Sequence, residues 1–295
     1  MTMTVIAAIA RDSGVDGDDG ALVPWWSFTK TVLAAAALVL VSLGRLRLDE
    51  PVEGRDFTLR QLLGHRAGLR DYGPLAAYHA AVAAGEAPWP RAELLERVQA
   101  DTLAFEPGGG WGYSNVGYML VRELVEDAAG APLRDALARL VFQPLGIIGA
   151  RVASKPSDLD GTAWGNAVGY HPGWVYHGLL IGRAADAAML LHSLLAGRLL
   201  PAPLLAAMRA SYPVDGPIPD RPWRSASYGL GLMSGIGEPA GCYVGHTGAG
   251  PGSTAAIYRH FDDSEGWDRC TAAVFAPLEA PGTVERRAMA LAHQG

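Results

Sequence analysis

Strand-like segments stand at both ends of this chain, and a helix-rich stretch separates them. TVIAAIA near the N-terminus reads as a buried strand, and alternating segments such as STAAIYRHF and CTAAVFAPL follow near the C-terminus. Between them, glycine and proline interrupt a series of helical patterns. We predict an α+β fold in which residues 1–57 and 222–295 form an antiparallel sheet with flanking helices. Residues 58–221 form a mainly helical lobe, and a site is expected in the cleft between the lobes.

The tetrapeptide Ser27-Phe28-Thr29-Lys30 directly precedes a long apolar helical run. A serine and a lysine three residues apart lie on the same face of a helix, one turn from each other. Backbone N–H groups in the first helical turn have no partner within the helix. The segment could therefore supply a nucleophile, a proton acceptor or positive charge, and one oxyanion donor. The alternative is an N-cap serine with a solvated lysine.

The lysine content and the net charge limit the functions that the chain can have. Lys30 and Lys155 are the only lysines in a chain of 295 residues, and arginine carries most of the positive charge. An arginine beside Ser27 would hold charge but would not readily release its proton, so a lysine there is suggestive. The net charge of −6, with no basic stripe, argues against a nucleic-acid partner.

Two further motifs contain residues suited to the same chemistry. Tyr113-Ser114-Asn115 lies where a glycine-rich turn runs into a helical pattern, and His246-Thr247-Gly248 lies between two strand-like segments. Tyr113 could take a proton from Ser27, and Asn115 could hydrogen-bond Lys30 or a substrate carbonyl, or cap the following helix.

The order Ser-x-x-Lys, Tyr-x-Asn and His-Thr-Gly resembles the serine β-lactamase and penicillin-binding protein superfamily. The tyrosine form of the second motif is most similar to the class C-like branch. That branch contains class C β-lactamases, D-aminopeptidases, D,D-peptidases and family VIII carboxylesterases. The segments FTLRQLLGHRAGLRDYG and HPGWVYHGLLIGRAADAAMLL also resemble it, so the similarity covers roughly residues 21–275. The resemblance implies a β-lactamase/transpeptidase-like fold.

The resemblance also implies roles for individual residues. Ser27 would be the acyl-accepting nucleophile, with Tyr113 favoured as its base and Lys30 assisting, although Lys30 itself remains an alternative base. The backbone N–H groups of Ser27 and Ala249 would form the oxyanion hole. Thr247 and Gly248 would contact the substrate.

His246 takes a position that is usually lysine in the β-lactamases of this branch, where the lysine helps to bind a substrate carboxylate. A histidine of ordinary pKa is mostly neutral at pH 7, so we expect a preference for neutral substrates. Trp174 and Tyr176 are the predicted walls of the acyl pocket.

These observations predict a serine hydrolase that forms a covalent acyl-enzyme, with carboxylesterase activity on short or modest acyl esters favoured. Amide hydrolysis by a β-lactamase, D,D-peptidase or D-aminopeptidase is the first alternative. A non-catalytic ligand-binding domain on the same fold is the second. The sequence contains no His-Glu-x-x-His, phosphate-loop or dinucleotide motif, and we expect neither a metal nor a cofactor.

The chain ends and its apolar runs bear on location and assembly. The N-terminal apolar run is too short for a usual signal peptide, and Val32 to Leu43 is too short to span a bilayer, so we expect a cytoplasmic protein with no membrane partner. Only 26 residues precede Ser27, fewer than is usual in the branch, so we expect a sheet with less edge cover. An uncovered edge could pair in a homodimer.

Overall fold

The computed structural model describes residues 4–17, 20–164, 169–214, 218–261 and 270–294. The strands are β1 (Ile6–Arg11), β2 (Gly14–Asp16), β3 (Leu22–Pro24), β4 (Arg151–Ala153), β5 (Leu179–Arg183), β6 (Tyr212–Pro213), β7 (Trp223–Tyr228), β8 (Met233–Gly237), β9 (Gly241–Gly250), β10 (Ser253–Phe261) and β11 (Thr271–Pro277). The α-helices are α1 (Thr29–Ser42), α2 (Leu59–Leu63), α3 (Ala76–Ala83), α4 (Arg91–Arg97), α5 (Asn115–Ala129), α6 (Leu133–Leu137), α7 (Ala184–Leu195), α8 (Ala202–Arg209) and α9 (Pro281–Gln294). Together they form an α+β fold.

The larger sheet joins the two ends of the chain. Its eight strands run in the order β2-β1-β11-β10-β9-β8-β7-β6, and each neighbouring pair is antiparallel. β1 pairs with β11 so that Ala8 lies opposite Ala273. This pairing confirms the prediction that segments from both termini build one antiparallel sheet.

A smaller sheet, in the order β3-β5-β4, lies beside the start of α1. Trp25 donates its backbone N–H to the carbonyl of Leu180 at 2.8 Å, and Leu180 donates its own N–H to the Thr29 hydroxyl at 3.2 Å. These hydrogen bonds connect β5 to both ends of the turn that contains Ser27.

Helix α1 lies in the core, and ten of its 14 residues are alanine, leucine or valine. Alanine and leucine favour the helix, and a helix that is apolar on all sides is stable only when it is buried. Gly44 follows with a φ of +70°, the left-handed conformation that commonly ends a helix. The apolar run that begins at Val32 is thus buried through Leu38, whereas Leu43 at its end is exposed. The described part of the chain contains no helix long and apolar enough to cross a membrane.

Two helices cover the larger sheet. α9 packs against β10 and β11, whereas α7 packs against β1 and β11. α7 falls within residues 58–221, the range that the sequence assigns to the helical lobe. Its buried side chains, including Leu190 and Leu194, contribute to the main core, which contains residues from both predicted lobes. The lobe boundaries themselves stay predictions.

Candidate active site

Ser27 lies in a single 3₁₀ turn, Trp26–Phe28, immediately before α1. Trp26 adopts a φ of +45°, a conformation that is unfavourable for a residue with a side chain. Its indole N–H donates to the Ser253 hydroxyl at 2.9 Å, and its ring lies against Gly250. The strained turn is therefore held in place by the β9–β10 hairpin, and Ser27 faces the cleft beside it.

Lys30 lies one turn after Ser27 and is fully buried. Its Nζ is 3.2 Å from Ser27 Oγ, 2.8 Å from Asn115 Oδ1 and 3.2 Å from His177 Nε2. The structure thus brings together residues from the first two motifs and adds His177. The alternative reading of Lys30 as a solvated lysine is wrong.

Burial lowers the pKa of Lys30 to about 7, because an ammonium group loses hydration there, and the charge of Asp71 opposes this shift. Asp71 accepts hydrogen bonds from the backbone N–H of Asn115 at 2.8 Å and from its side-chain Nδ2 at 3.1 Å. This fixes the Asn115 amide with its oxygen toward Lys30. Burial raises the pKa of Asp71, although its contacts with Asn115 and the charge of Lys30 oppose the rise.

Tyr113 completes this group. The Ser27 hydroxyl is close enough to favour the ionised form of the Tyr113 phenol, and Lys30 Nζ lies 4.9 Å from the centre of the Tyr113 ring. Burial raises the pKa of Tyr113 above its ordinary value, so the phenol keeps its proton at neutral pH. The His65 ring packs on Tyr113 with 4.3 Å between centroids, and burial lowers the pKa of His65 well below its usual range.

The start of α5 places Asn115. Ser114 is the N-cap of this helix, and its hydroxyl accepts from the backbone N–H of Gly117 at 3.0 Å. The alternative in which Asn115 caps the helix is wrong, because Asn115 is the first residue inside it. Its side chain therefore hydrogen-bonds both Lys30 and Asp71.

The third motif lies on β9 with its side chains turned into the protein. His246 Nδ1 lies 2.7 Å from the carbonyl oxygen of Thr247, and its Nε2 lies 2.8 Å from the Tyr228 hydroxyl. Burial lowers the pKa of His246 to about 3, so the ring is neutral over the physiological range. The Thr247 hydroxyl bonds Glu285 at 2.5 Å and the Tyr258 hydroxyl at 2.8 Å. Neither His246 nor Thr247 lines the cleft beside Ser27 among the described residues.

Gly248 allows β9 to pass close to the Ser27 turn. A Cβ atom at this position would lie 2.5 Å from the backbone nitrogen of Ser27 and 3.0 Å from the carbonyl oxygen of Trp25. Ala249, the next residue, lines the cleft together with Ser27. The pair is therefore close enough to be considered as two oxyanion donors, which stays a prediction.

The cleft is a cavity of about 460 Å³ with aromatic walls. The described residues that line it are Trp26, Ser27, Tyr72, Gly73, Tyr78, His79, Val82, Asn115, Tyr170, Val175, His177, Ala249, Gly250 and Pro251. No lysine, arginine, aspartate or glutamate is among them. The cavity therefore suits an uncharged group better than a carboxylate or an ammonium.

Trp174 and Tyr176, the predicted pocket walls, lie in the layer behind this cavity rather than on its surface. Trp174 is buried, and its carbonyl oxygen accepts from the Tyr72 hydroxyl at 3.2 Å. Tyr176 donates to the carbonyl of Trp89 at 2.9 Å, and its ring packs on Tyr72. Large aromatic side chains at these positions support the tyrosines that face the cavity.

Three contributors to the site were missed from the sequence. Asp71 and His177 have no motif spacing that links them to Lys30, since 41 and 147 positions respectively separate them along the chain. The third contributor is the pair of cavity-facing rings Tyr78 and Tyr170. Short sequence motifs do not predict these contacts, because they form between residues that are far apart in the chain and meet only in the folded protein.

Comparisons with known proteins identify the family. The profile of the Beta-lactamase family matches residues 7–286, so the chain belongs to this family. A D-aminopeptidase of Cereibacter sphaeroides is 35% identical over 125 residues, which cover 41% of this chain and 24% of that protein. Esterase EstB of Burkholderia gladioli is 32% identical over 157 residues, which cover 46% of this chain and 40% of the esterase. The matched segments therefore span less than half of these relatives.

The solved structure of a D-stereospecific amidohydrolase from Streptomyces sp. has the same fold. It superposes with a TM-score of 0.74 at 26% identity, over 93% of this chain and 90% of the other. The predicted family and the predicted β-lactamase/transpeptidase-like fold are both confirmed. The names of the relatives agree with an enzyme of the hydrolase class and include both ester and amide chemistry.

Proposed function

We propose that this member of the β-lactamase family is a serine hydrolase that acts through a covalent acyl-enzyme on Ser27, and that it is a carboxylesterase for short or modest uncharged acyl esters. The observation that carries the proposal is the contact of Ser27 with both Lys30 and Tyr113 at the wall of an aromatic cavity with no charged lining residue. A serine hydroxyl is a weak nucleophile, and these two neighbours supply the means to activate it.

Lys30 is the proposed proton acceptor. A base works best when its pKa is close to the operating pH, and the pKa of Lys30 is about 7. The raised pKa of Tyr113 keeps that residue a neutral phenol, which favours Lys30 over the tyrosinate that the family resemblance implies. Tyr113 then serves to pass a proton between Lys30 and the leaving oxygen.

In acylation, the neutral Lys30 amine removes the Ser27 proton while Oγ attacks the acyl carbon. The bond from that carbon to the alkoxy oxygen breaks, and the proton held by Lys30 reaches the departing alkoxide through the Tyr113 hydroxyl. In deacylation, water gives a proton to the Lys30 amine as its oxygen attacks the acyl carbon. The bond from that carbon to Ser27 Oγ then breaks, Lys30 returns the proton to Oγ, and the carboxylic acid is released. The backbone N–H groups of Ser27 and Ala249 would stabilise the oxyanion in both steps.

The preference for esters rests on electrostatics. β-Lactams and D,D-peptides present a carboxylate, and amino-acid amides present an ammonium group. The described lining of the cavity contains no oppositely charged side chain for either group, and His246 is buried and neutral. The relatives support amide chemistry as much as ester chemistry, so a D-aminopeptidase-like activity remains the second candidate function.

The test is hydrolysis of p-nitrophenyl butyrate, nitrocefin and D-phenylalanine p-nitroanilide by the wild-type protein and by Ser27→Ala. We expect the butyrate ester to be the best substrate and its turnover to fall to background in the variant. Dominant turnover of the anilide or of nitrocefin would instead favour amide chemistry. Ester turnover unchanged in Ser27→Ala would overturn the proposed nucleophile. A folded protein inactive on all three would favour the non-catalytic alternative.

A further inference from the structure

His177 lies at the wall of the cleft and contacts the proposed base, although no sequence motif includes it. Its side chain is 2% exposed, and its Nε2 is 3.2 Å from Lys30 Nζ. The residue immediately precedes Gly178, which has a φ of +94°, and β5 follows. Because β5 is hydrogen-bonded to the segment around Ser27, the His177 ring is held at a fixed place relative to Lys30.

The donors of Lys30 match the acceptors around it. A lysine ammonium has three N–H donors, and Ser27 Oγ, Asn115 Oδ1 and His177 Nε2 are three acceptors within hydrogen-bond distance. The neutral amine has two N–H donors and one lone pair. When Asn115 and His177 accept the two N–H groups, the lone pair is left for Ser27.

His177 is suited to accept rather than donate. Burial, with smaller contributions from the charges around it, lowers its pKa well below the usual range, so the ring is neutral. Acceptance at Nε2 requires the proton on Nδ1, which is buried and has no hydrogen-bond partner among the described residues. A lysine ammonium has donors and no acceptor, so when Lys30 is charged the 3.2 Å contact requires Nε2 of His177 to accept.

We propose that His177 is a positioning residue, which together with Asn115 takes the N–H groups of Lys30 and so directs the lone pair of the amine at the Ser27 hydroxyl. The inference rests on the proposed role of Lys30 as the base. The hydrogen bond from Lys30 Nζ to His177 Nε2 requires a side chain whose acceptor atom reaches as far as Nε2.

Several titratable groups surround this pair. Those that face Lys30 are Asp71, Tyr113, Tyr118, His65, His177 and His246. His177 is also affected by the charge of Arg122. The effect of a substitution at His177 must therefore be measured as a change in the pKa of Lys30.

The chain allows this measurement because it has only two lysines. In a background carrying Lys155→Arg, a substitution of an exposed residue remote from the site, a protein labelled with ¹³C at the lysine Cε gives one titrating NMR signal, that of Lys30. The variants are His177→Leu, which removes the acceptor, and His177→Gln, whose amide oxygen reaches about as far as Nε2. His79→Leu is the matched control, since His79 lines the same cleft but bonds the carbonyl of Gly73 rather than Lys30.

We expect His177→Leu to lower the pKa of Lys30 by about one unit, because a charge-assisted hydrogen bond is roughly twice as strong as a neutral one and its loss penalises the ammonium more. His177→Gln should bring the pKa of Lys30 most of the way back to its wild-type value, and His79→Leu should leave that pKa unchanged. An unchanged pKa in a folded His177→Leu protein would overturn the proposal.

A second measurement needs no substitution in the site. Long-range ¹H–¹⁵N spectra of the wild-type protein identify the tautomer of each neutral histidine. We expect His177 to carry its proton on Nδ1 both below and above pH 7. A proton on Nε2 would mean that His177 donates to the lone pair of Lys30, which contradicts the proposal even if the His177→Leu variant does not fold.

The effect on reactivity is read with a fluorophosphonate, which labels an activated serine whatever ester the enzyme accepts. At pH 8.5 we expect His177→Leu to label Ser27 roughly tenfold more slowly than wild type, as for the loss of one oriented hydrogen bond, and His177→Gln to recover. Equal rates in both folded variants and wild type would contradict a positioning role. If the butyrate ester is not hydrolysed but labelling and NMR behave as expected, the esterase proposal fails and the role of His177 stands.

Discussion

At the scale of single residues, Lys30 combines full burial with three close hydrogen-bond partners and an acidic neighbour, Asp71. Burial favours the neutral amine, whereas the acceptors and the carboxylate favour the ammonium. Their balance leaves the pKa of Lys30 at about 7. The same residue is therefore available as a base near neutral pH and is a source of instability when it is charged.

This balance predicts a pH-dependent stability. The pKa of Lys30 is lower in the folded than in the unfolded protein, so between about pH 7 and 10 the unfolded state binds more protons and folding is favoured as the pH rises. Relative to Lys30→Met, the wild-type protein should gain about 3 kcal/mol of unfolding free energy between pH 7 and 9.5. Urea unfolding of both proteins at several pH values measures the difference. Parallel curves would contradict a lowered pKa.

The sequence indicated the residues clustered around Ser27 more clearly than the side chains that line the cavity. Ser27, Lys30, Tyr113 and Asn115 were predicted because their motifs have short fixed spacings. These residues lie close together in the structure, and their catalytic roles stay predictions. The facing side chains of the cavity come from loops whose packing is set by distant contacts. Trp174 was predicted on the surface of the pocket because it is aromatic and lies near a motif segment, but its ring packs against Tyr78, which itself faces the cavity.

At the scale of elements, the position of β9 against the Ser27 turn depends on the absence of a side chain at Gly248. The atoms nearest to a Cβ at this position include backbone atoms of Ser27 and Trp25, which cannot move aside as a flexible side chain would. The last turn before α1 and the end of β9 therefore fit together as a unit, and this unit contains both proposed oxyanion donors.

We predict that Gly248→Ala separates these two elements. The variant should lose on the order of 100-fold in the rate of Ser27 labelling, as expected when an oxyanion donor is displaced, and its melting temperature should fall. Gly117→Ala on α5 is the control, because a Cβ there meets its nearest atom at an ordinary 3.6 Å and alanine favours a helix. Similar melting temperatures and labelling rates for the two variants would show that β9 does not require the close approach.

The sequence located β1 and α1 from continuous apolar runs, and it located α5 from hydrophobic periodicity. The assignment of α7 to the helical lobe followed its position in the chain. In the structure the helix packs against β1 and β11, where its apolar face is buried. Periodicity shows that a face is buried but does not identify the surface that buries it.

At the scale of the whole molecule, the C-terminal helix is connected to the site through one buried carboxylate. Glu285 on α9 is fully buried, and it accepts hydrogen bonds from Arg221, Thr247 and Tyr258. Thr247 lies next to Gly248 on β9. The last helix of the chain thus supports the strand that passes behind the proposed oxyanion hole.

Removal of this carboxylate should destabilise the protein strongly. We expect Glu285→Ala to lose about 3 kcal/mol of unfolding free energy, because Arg221 would be left largely buried without its partner. Glu93→Ala removes an exposed ion pair with Arg97 on α4 and should change the stability by less than about 1 kcal/mol. Denaturant unfolding of both variants gives the comparison, and equal losses would contradict a structural role for the buried pair.

The arrangement of the whole chain followed from its two strand-rich ends, and the family comparison agrees with it. The homodimer, the cytoplasmic location and the lobe boundaries stay predictions.

The most direct test of the proposed chemistry is to trap and locate the acyl-accepting residue. The wild-type protein is treated with a fluorophosphonate at pH 8, its intact mass is measured, and the modified peptide is sequenced by mass spectrometry. We predict one adduct per chain on Ser27, none in Ser27→Ala, and much slower labelling in Lys30→Met. An adduct on another serine, or equal labelling of Ser27→Ala, would contradict the assignment of Ser27 as the nucleophile.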